Sequence, residues 1–403
     1  MKICDLTQFY SPVSGGVKRY LNEKVAYLHS HTDGDEHLLV IPGERDEVLK
    51  NGRATTYTIR SPLISKTSRY RALWRLGAVE RILERERPDI IESGDPYQMA
   101  WKAIASGRGL GIPVVGFYHS HFPEAYLRSV AKFFGGLATE FTMDAARRYV
   151  CHLYNRFERT LVPSPALGSL LRDWGVENTF NIDLGVNTGI FRPTPDDAGS
   201  TRAELGVDDR TLLLFYAGRL AHEKNTRVLF EAFRILAERA PGRFHLLITG
   251  DGQQRGELES LRADLELPQS KIKNPKSKIT WLPYCADSEK LARLYRAADL
   301  FVHPGVQETF GLVALESQAC GTPVVGIRGS YMDRIIHSDQ TLWAVENSAP
   351  ALARAILDAC GQDLKKIGAD AGAQVALRYS WTQVFERLFA IYRDVTNTRK
   401  QVP

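Results

Sequence analysis

Between Asp299 and Gly326 the chain runs from an apolar strand-length stretch, Leu300-Phe301-Val302, into His303-Pro304-Gly305. An apolar helical run follows from about Gly311, and Thr322-Pro323-Val324-Val325 ends it. An apolar run of this length, a Pro-Gly turn and a helix broken by Gly-Thr-Pro predict a strand, loop, helix, strand unit. Such a unit aims the helix N-terminus, with its unpaired N–H groups, at the C-terminal edge of a parallel sheet, where anions and nucleotides bind. Two carboxylates, Glu308 and Glu316, flank that helix start. Eight residues of helix rise about 12 Å, enough to reach both sides of a bound diphosphate. One Glu would then hold a sugar and the other a ribose. Taken alone, the pair fits as well an ordinary Glu complementing the helix dipole, worth about 0.3–1 kcal/mol, followed by a solvated face.

The same alternation recurs along the chain. Residues 2–10 read as a first strand, the following Ser-Pro-Val-Ser-Gly-Gly as a loop, and residues 17–28 as a helix. Strands follow at 37–41 and 55–59, a basic helix from about 68 to 86, and strands at 89–92, 113–118 and 159–164, the last of that core. Residues 181–193, rich in Gly, Asn and Pro, read as a junction. A second series opens at Thr211, with strands at 244–251 and 279–284. Strands alternating with helices argue for parallel sheets covered on both faces. With 403 residues the chain is too long for one core and fits two. The expectation is α/β, with two doubly wound Rossmann-like domains facing a cleft. One comprises residues 1–187 joined by a returning helix at 380–403, the other residues 188–379.

Composition narrows the function. A net charge of +5 is mild for this length; it allows an anionic partner and demands no nucleic acid. The five cysteines are scattered and never paired as Cys-x-x-Cys, which suggests reduced thiols in a cytoplasmic protein, without a disulfide frame or zinc site. The chain starts directly as a strand, so no signal peptide is expected. No apolar run approaches about 18 residues, as a spanning helix would need. Asp33-Gly34-Asp35 resembles a metal-binding triplet but sits in a polar turn, and no metal is expected to be required. Residues 60–75 carry five cations, including Arg69 and Arg71, among Leu63, Ile64, Tyr70, Leu73 and Trp74. With Arg147, Arg148, Arg156 and Arg159 they would form a basic face for an anionic acceptor or the inner membrane surface, unless they are simply a solvated charge run.

Several shorter motifs fit phosphate chemistry. Gly15 and Gly16, at a loop-to-helix junction, let backbone approach a ligand closely, although a tight turn needs the same residues. Arg219 and Lys224 lie just past a strand and beside a helix start, where two fixed cations would neutralise a diphosphate. His119 and His121 follow a strand two residues apart, so both point to one face of an extended segment. They could donate hydrogen bonds or lend charge, or be satisfied by nearby backbone.

Glu308, Phe310-Gly311-Leu312, Glu316 and Ala319-Cys320-Gly321-Thr322-Pro323-Val324-Val325 together resemble the signature of the large family of retaining glycosyltransferases that use nucleotide sugars and the GT-B fold. The resemblance implies transfer of a hexosyl group, mannose or glucose, from a nucleoside diphosphate sugar to an acceptor hydroxyl. It implies GDP-mannose or a UDP-hexose as co-substrate, no further cofactor, and a glycan, lipid or small-molecule acceptor held by the first domain. By the same resemblance Gly15 and Gly16 face the donor phosphates, and His119 lies beside the donor sugar, with His121 as its alternative or as an acceptor contact. Arg219 and Lys224 bind the diphosphate, Glu308 the sugar hydroxyls and Glu316 the ribose. Phe310, Gly311 and Leu312 bring backbone N–H groups to the departing phosphate. Gly250-Asp251-Gly252 lies beside the nucleotide, and Tyr284 may flank its base. Arg69 and Arg71 are acceptor candidates. The chain departs from the family at Asn187, where relatives have Asp, and at 329–333, where they often show Gly-Gly and a later Glu. Two other readings stay open: a nucleotide-sugar epimerase of the same fold, and a non-catalytic nucleotide-sugar-binding protein.

Overall fold

The computed structural model describes residues 1–10, 15–64, 69–119, 136–194, 197–266, 278–306, 308, 310–330, 332 and 334–400. The chain divides into two compact units, Met1–Leu184 with Trp381–Pro403, and Gly185–Ser380. The junction therefore falls three residues before the expected 187–188. The reason is local: Val186 N–H donates to Tyr379 O at 2.7 Å and Val186 pairs in parallel with Ser380, which ties this stretch to the second unit.

The first unit runs β1 (Lys2–Leu6), α1 (Gly16–His31), β2 (Glu36–Gly43), β3 (Glu47–Asn51), β4 (Ala54–Arg60), α2 (Leu76–Glu86), β5 (Ile90–Ser93), α3 (Gln98–Leu110), β6 (Val114–Phe117), α4 (Gly136–Tyr154), β7 (Arg159–Val162), α5 (Pro165–Asp173) and β8 (Thr179–Asn181). Its eight strands lie in the order β3-β4-β2-β1-β5-β6-β7-β8, all parallel except the outer β3–β4 pair. The chain winds outward from β1 to β2 and then returns to lay β5 on the other side of β1. The C-terminal ends of β1 and β5 therefore flank a switch point, where the two loops diverge and leave a crevice.

Two edge strands, β3 and β8, are additions to the expected set; both are short and mostly exposed, so neither carries a core-facing apolar pattern. The basic helix expected from about 68 begins only at Leu76. Leu63 and Arg71 instead pair antiparallel, with Ile64 N–H on Tyr70 O at 2.8 Å and Ala72 N–H on Pro62 O at 3.0 Å. Arg69, just before this pairing, takes a left-handed φ of 54°.

Helix α1 buries Tyr20, Leu21, Lys24, Tyr27 and Leu28, one face at helical spacing. A lysine in that face needs partners, since an unpaired buried charge is very costly. Lys24 Nζ reaches Asp5 of β1 at 2.8 and 3.0 Å, Glu92 of β5 at 3.2 Å and the Tyr392 hydroxyl at 3.0 Å. Tyr392 lies on the last helix, Trp381–Lys400, and also donates to Glu92. His37 of β2 meets Asp5 at 2.5 Å. The returning helix is thus fastened to the first unit's sheet by a buried charge network as well as by apolar contact. Asp35 of the metal-like triplet is turned inward and holds the Met1 amino group at 2.8 Å and Arg393 at 3.2 Å.

The second unit runs α6 (Ala198–Glu204), β9 (Leu212–Ala217), α7 (Thr226–Arg239), β10 (Phe244–Thr249), α8 (Arg255–Glu266), β11 (Lys278–Leu282), α9 (Ser288–Ala297), β12 (Leu300–Val302), α10 (Leu312–Ala319), β13 (Val324–Val325), α11 (Ala349–Ala359) and α12 (Leu364–Arg378), followed by the returning helix, α13. The sheet order is β11-β10-β9-β12-β13, parallel throughout. Winding goes from β9 out to β11 and then restarts at β12, so the switch point lies between β9 and β12. Leu214, Ile248 and Leu300 of the sheet pack with Phe230, Phe233 and Leu236 of α7 in one buried cluster.

Helix α9 is capped by Asp287, whose carboxylate accepts from Glu289 N–H at 3.0 Å and Lys290 N–H at 3.2 Å. Asp287→Ala is expected to cost about 0.5–2 kcal/mol, read as a lower denaturant midpoint at unchanged m-value. A wild-type midpoint would show that water replaces the cap.

Candidate active site

In the second unit the loops leaving β9 and β12 are stitched together. After β9 the chain makes one short 3-10 turn, His222–Lys224, and then Asn225 takes a left-handed φ of 57°, a conformation that asparagine tolerates. The Asn225 side-chain amide donates to Pro304 O at 2.9 Å and to Asn347 Oδ1 at 2.6 Å. This sets Lys224 against the loop after β12, where its ammonium donates to Glu308 Oε1. His303, buried just past β12, has Nε2 at 3.7 Å from the same oxygen. Burial alone would raise the Glu308 carboxyl, but Lys224 and then His303 outweigh it and hold the group below the ordinary carboxylate range. His303 is itself lowered to about 4, by burial first, so its ring is neutral at neutral pH.

Arg219 begins the same loop, its backbone O accepting from the Tyr216 hydroxyl at 3.0 Å, and its exposed guanidinium lies 3.1 Å from Glu223. Helix α10 starts at Leu312 behind Gly311, which has φ +83°. A Cβ there would sit 2.5 Å from Met332 Sδ. Among the described residues no side chain caps this helix start. Phe310 is buried beside Tyr379, ring centroids 6.2 Å apart. Glu316, one turn into α10, is 1% exposed and accepts from the Tyr295 hydroxyl at 3.3 Å. The two glutamates thus occupy different surroundings, Glu308 at the loop beside cations and Glu316 inside the unit.

Gly250 and Gly252 have a reason within the fold itself. Cβ atoms there would fall 1.9 Å from Gly218 O and 2.2 Å from Leu220 O, because the loop after β10 lies directly on the loop after β9. Asp251 between them accepts from Gly252 N–H at 2.8 Å, and Tyr284, past β11, is 44% exposed. At Gly15 the opposite holds. It is exposed at the start of α1, a Cβ would meet no atom of the described residues within 4 Å, and Gly16 beside it is exposed too. Packing against the described residues therefore does not require glycine at 15.

His119 follows β6 in the first unit. Its ring stacks on Phe117 with centroids 3.9 Å apart and meets the Tyr20 ring at 5.0 Å. Burial and then the Lys24 charge lower it to about 3, so this imidazole is neutral at neutral pH and offers hydrogen bonding, not charge. His121 lies outside the described residues. Arg69 is exposed, whereas Arg71 is committed to Ser61 O at 2.8 Å and Glu44 at 2.7 Å. Of the wider basic set, Arg147, Arg148 and Arg156 line an open depression of about 830 Å³ with Asp144, Asp173 and Trp174, and Arg148 pairs with Asp144 at 2.8 Å. Arg159 is elsewhere, paired with Asp394.

Three residues that the sequence did not single out belong to these surroundings: Asn225, His303 and Asp95. Asp95, at the β1/β5 switch point, is buried and accepts from Gln8 N–H at 2.8 Å and Tyr97 N–H at 3.2 Å; burial raises it to about 6. In sequence it is one polar residue of a Ser-Gly-Asp-Pro turn, and nothing there signals its burial. Among the described residues, no group of three or more His, Cys, Asp or Glu is placed to hold a metal ion.

Comparison with known proteins gives this geometry a family. The model of "Glycosyl transferases group 1" matches residues 197–366, and that of "Glycosyltransferase Family 4" matches residues 14–189. The chain is similar to a GDP-mannose-dependent alpha-(1-6)-phosphatidylinositol dimannoside mannosyltransferase of Mycobacterium tuberculosis, 30% identical over 367 residues, which is 88% of this chain and 87% of the relative. It is 26% identical over 418 aligned residues to a GDP-mannose-dependent alpha-mannosyltransferase of Corynebacterium glutamicum, covering 100% of this chain and 91% of that one. A sucrose-phosphate synthase from Thermosynechococcus elongatus shares the fold, with a TM-score of 0.74 at 21% identity over 98% of this chain and 99% of the other. Two doubly wound sheets, a cation–carboxylate cluster at a switch point and these matches together place the chain in the GT-B glycosyl transferases group 1 family, as a nucleotide-sugar-dependent enzyme that transfers a hexose to an acceptor.

Proposed function

We propose that the donor is GDP-mannose, with UDP-hexoses as the alternative, and that transfer retains the configuration at the anomeric carbon. The second unit binds the donor and the first unit binds the acceptor. The observation that carries this reading is the Lys224–Glu308 pair at the β9/β12 switch point, beside the start of α10. Lys224 and Arg219 take the diphosphate, and the Gly311 and Leu312 N–H groups take the phosphate that departs. Glu308 turns its carboxylate to the sugar hydroxyls, and Glu316 receives the ribose. His119, neutral, supplies a hydrogen bond to the donor sugar. The choice of GDP-mannose is supported by the names of the two relatives.

The acceptor is a glycan, a lipid or a small molecule. Peripheral contact with the inner face of the membrane is part of the proposal. It is supported by the stretch around the Leu63–Arg71 pairing, where Trp74 is 75% and Ile64 63% exposed and Arg69 is exposed too. No helix of the described residues is long and apolar enough to cross a membrane.

The test offers GDP-mannose or UDP-glucose with a panel of mannosides, polyol phosphates and glycolipid vesicles, and follows nucleotide release. Acceptor-dependent GDP release with an α-linked product is expected. A β-linked product would remove retention, sugar interconversion without acceptor would make the chain an epimerase, and binding without release would make it a binding protein.

A further inference from the structure

Tyr20 joins the buried charge network to the neighbourhood of His119. Its hydroxyl lies 3.1 Å from each carboxylate oxygen of Glu92. Its ring packs edge-on against Phe117 at 5.2 Å and His119 at 5.0 Å, and beside Trp381 at 6.1 Å and Phe385 at 5.7 Å of α13. Tyr20 also sits one turn into α1, behind Gly15 and Gly16. A shift of this one ring therefore moves the wall behind His119 and the start of α1 together.

Glu92 accepts from Tyr20, from Lys24 at 3.2 Å and from Tyr392. An ionised carboxylate holds all three as a charged acceptor, whereas a protonated one gives its O–H to Asp5 or a tyrosine oxygen and accepts from the tyrosine hydroxyls only as a weaker, neutral group. The groups that face this carboxylate are Tyr20 and Lys24 from α1, Asp5 from β1 with His37 of β2 behind it, and Tyr392 from α13. Burial raises both tyrosines well above their ordinary range. Asp5, despite burial, is held well below its ordinary range by Lys24 and then His37. Burial raises Glu92 to about 7, with Lys24 opposing and Asp5 adding. His119 does not itself titrate near neutrality.

We propose that Tyr20 is a positioning residue for His119 and that the proton on Glu92 sets how firmly it is held, the ionised carboxylate fixing the ring and the protonated one releasing it. The proposal rests on the reading of His119 as a contact for the donor sugar. It adds to that reading a mechanism by which pH reaches the site through a group that touches no substrate.

The test uses the full chain with isotope-labelled histidine and follows the His119 Cε1–Hε1 resonance, identified by its loss in His119→Gln, from about pH 5.5 to 8.5. Ring currents from Phe117 and Tyr20 make this signal sensitive to small displacements. The wild type is expected to show one step near neutrality although its own ring stays neutral. The step should vanish in Glu92→Gln, lose most of its amplitude in Tyr20→Phe, and persist at a displaced pH in Glu92→Asp. GDP-mannose binding, measured by calorimetry, should weaken severalfold on the acid side of the step in the wild type and lose that dependence in Glu92→Gln. An unchanged step in both Glu92→Gln and Tyr20→Phe overturns the proposal. If Glu92→Gln does not fold, Tyr20→Phe, which removes one oxygen, carries the same decision. Should His119→Gln bind donor like wild type, the assignment of His119 fails while the step in its resonance still stands, so the two failures are distinguishable.

Discussion

Lys224→Ala is expected to lower donor turnover by roughly 10²–10³-fold, the usual cost of removing one charge-stabilising donor from a transition state. The second unit should lose only about 1–3 kcal/mol of stability, the range for a hydrogen bond to a charged group. The geometry separates the two effects. Among the described residues the ammonium of Lys224 pairs with Glu308, and Asn225 holds the loop to Pro304 through its own amide. Without the ammonium, Glu308 keeps His303 at 3.7 Å and the more distant Arg219 charge against its burial, so its pKa rises. The sign follows. A carboxylate held below its ordinary range adds stability that is present above that range and lost as pH falls through the folded value. The variant should therefore be less stable than wild type at neutral pH and converge with it in acid. Steady-state nucleotide release and urea melts at two pH values check both halves, and an equal loss of activity and fold would show that Lys224 is structural.

Lys24→Ala should give the largest loss of stability, about 3–5 kcal/mol, because it leaves Asp5 and Glu92 buried with no cation between them. The loss should reach the end of the chain. Tyr392 receives a hydrogen bond from Lys24 and gives one to Glu92, so amide exchange in Trp381–Lys400 should quicken more than in the second unit. The pH dependence has two parts of opposite sign. Glu92, raised to about 7, contributes stability that is present below the ordinary carboxylate range and lost as pH rises through neutrality; Asp5, lowered, contributes stability that is lost only in strong acid. Removing Lys24 raises both groups, so the variant should fall furthest behind wild type at neutral and higher pH. A loss below about 1 kcal/mol would mean that water or a rearranged His37 replaces the ammonium.

How much of this was legible beforehand depends on the range of each interaction. Alternating apolar runs and Pro-Gly breaks are local signals, and they gave the strand–helix order and the start of α10 within a residue of Gly311. The partners of Lys24 lie 19, 68 and 368 residues away, and no window on the sequence brings them together. The helix expected from about 68 starts only at Leu76, because Tyr70 and Ala72 pair with Ile64 and Pro62, a contact that no local pattern signals. Gly250 and Gly252 show a third limit. Their spacing suggested a ligand, and the clash each would make with Gly218 or Leu220 became visible only with β9 and β10 paired. Glu308 and Lys224 were assigned to separate parts of the donor, and the structure places them in one ion pair.

The central claim is that the β9/β12 switch point of the second unit is the nucleotide-sugar site. Calorimetric titration of wild type and Lys224→Ala with GDP-mannose, GDP and UDP-glucose tests it most directly. The account predicts that the wild type binds the guanine nucleotides more tightly than UDP-glucose and that the substitution weakens GDP as well as GDP-mannose, since the diphosphate is what Lys224 holds. Undiminished binding by Lys224→Ala, or no binding of any nucleotide by a folded wild type, would contradict it.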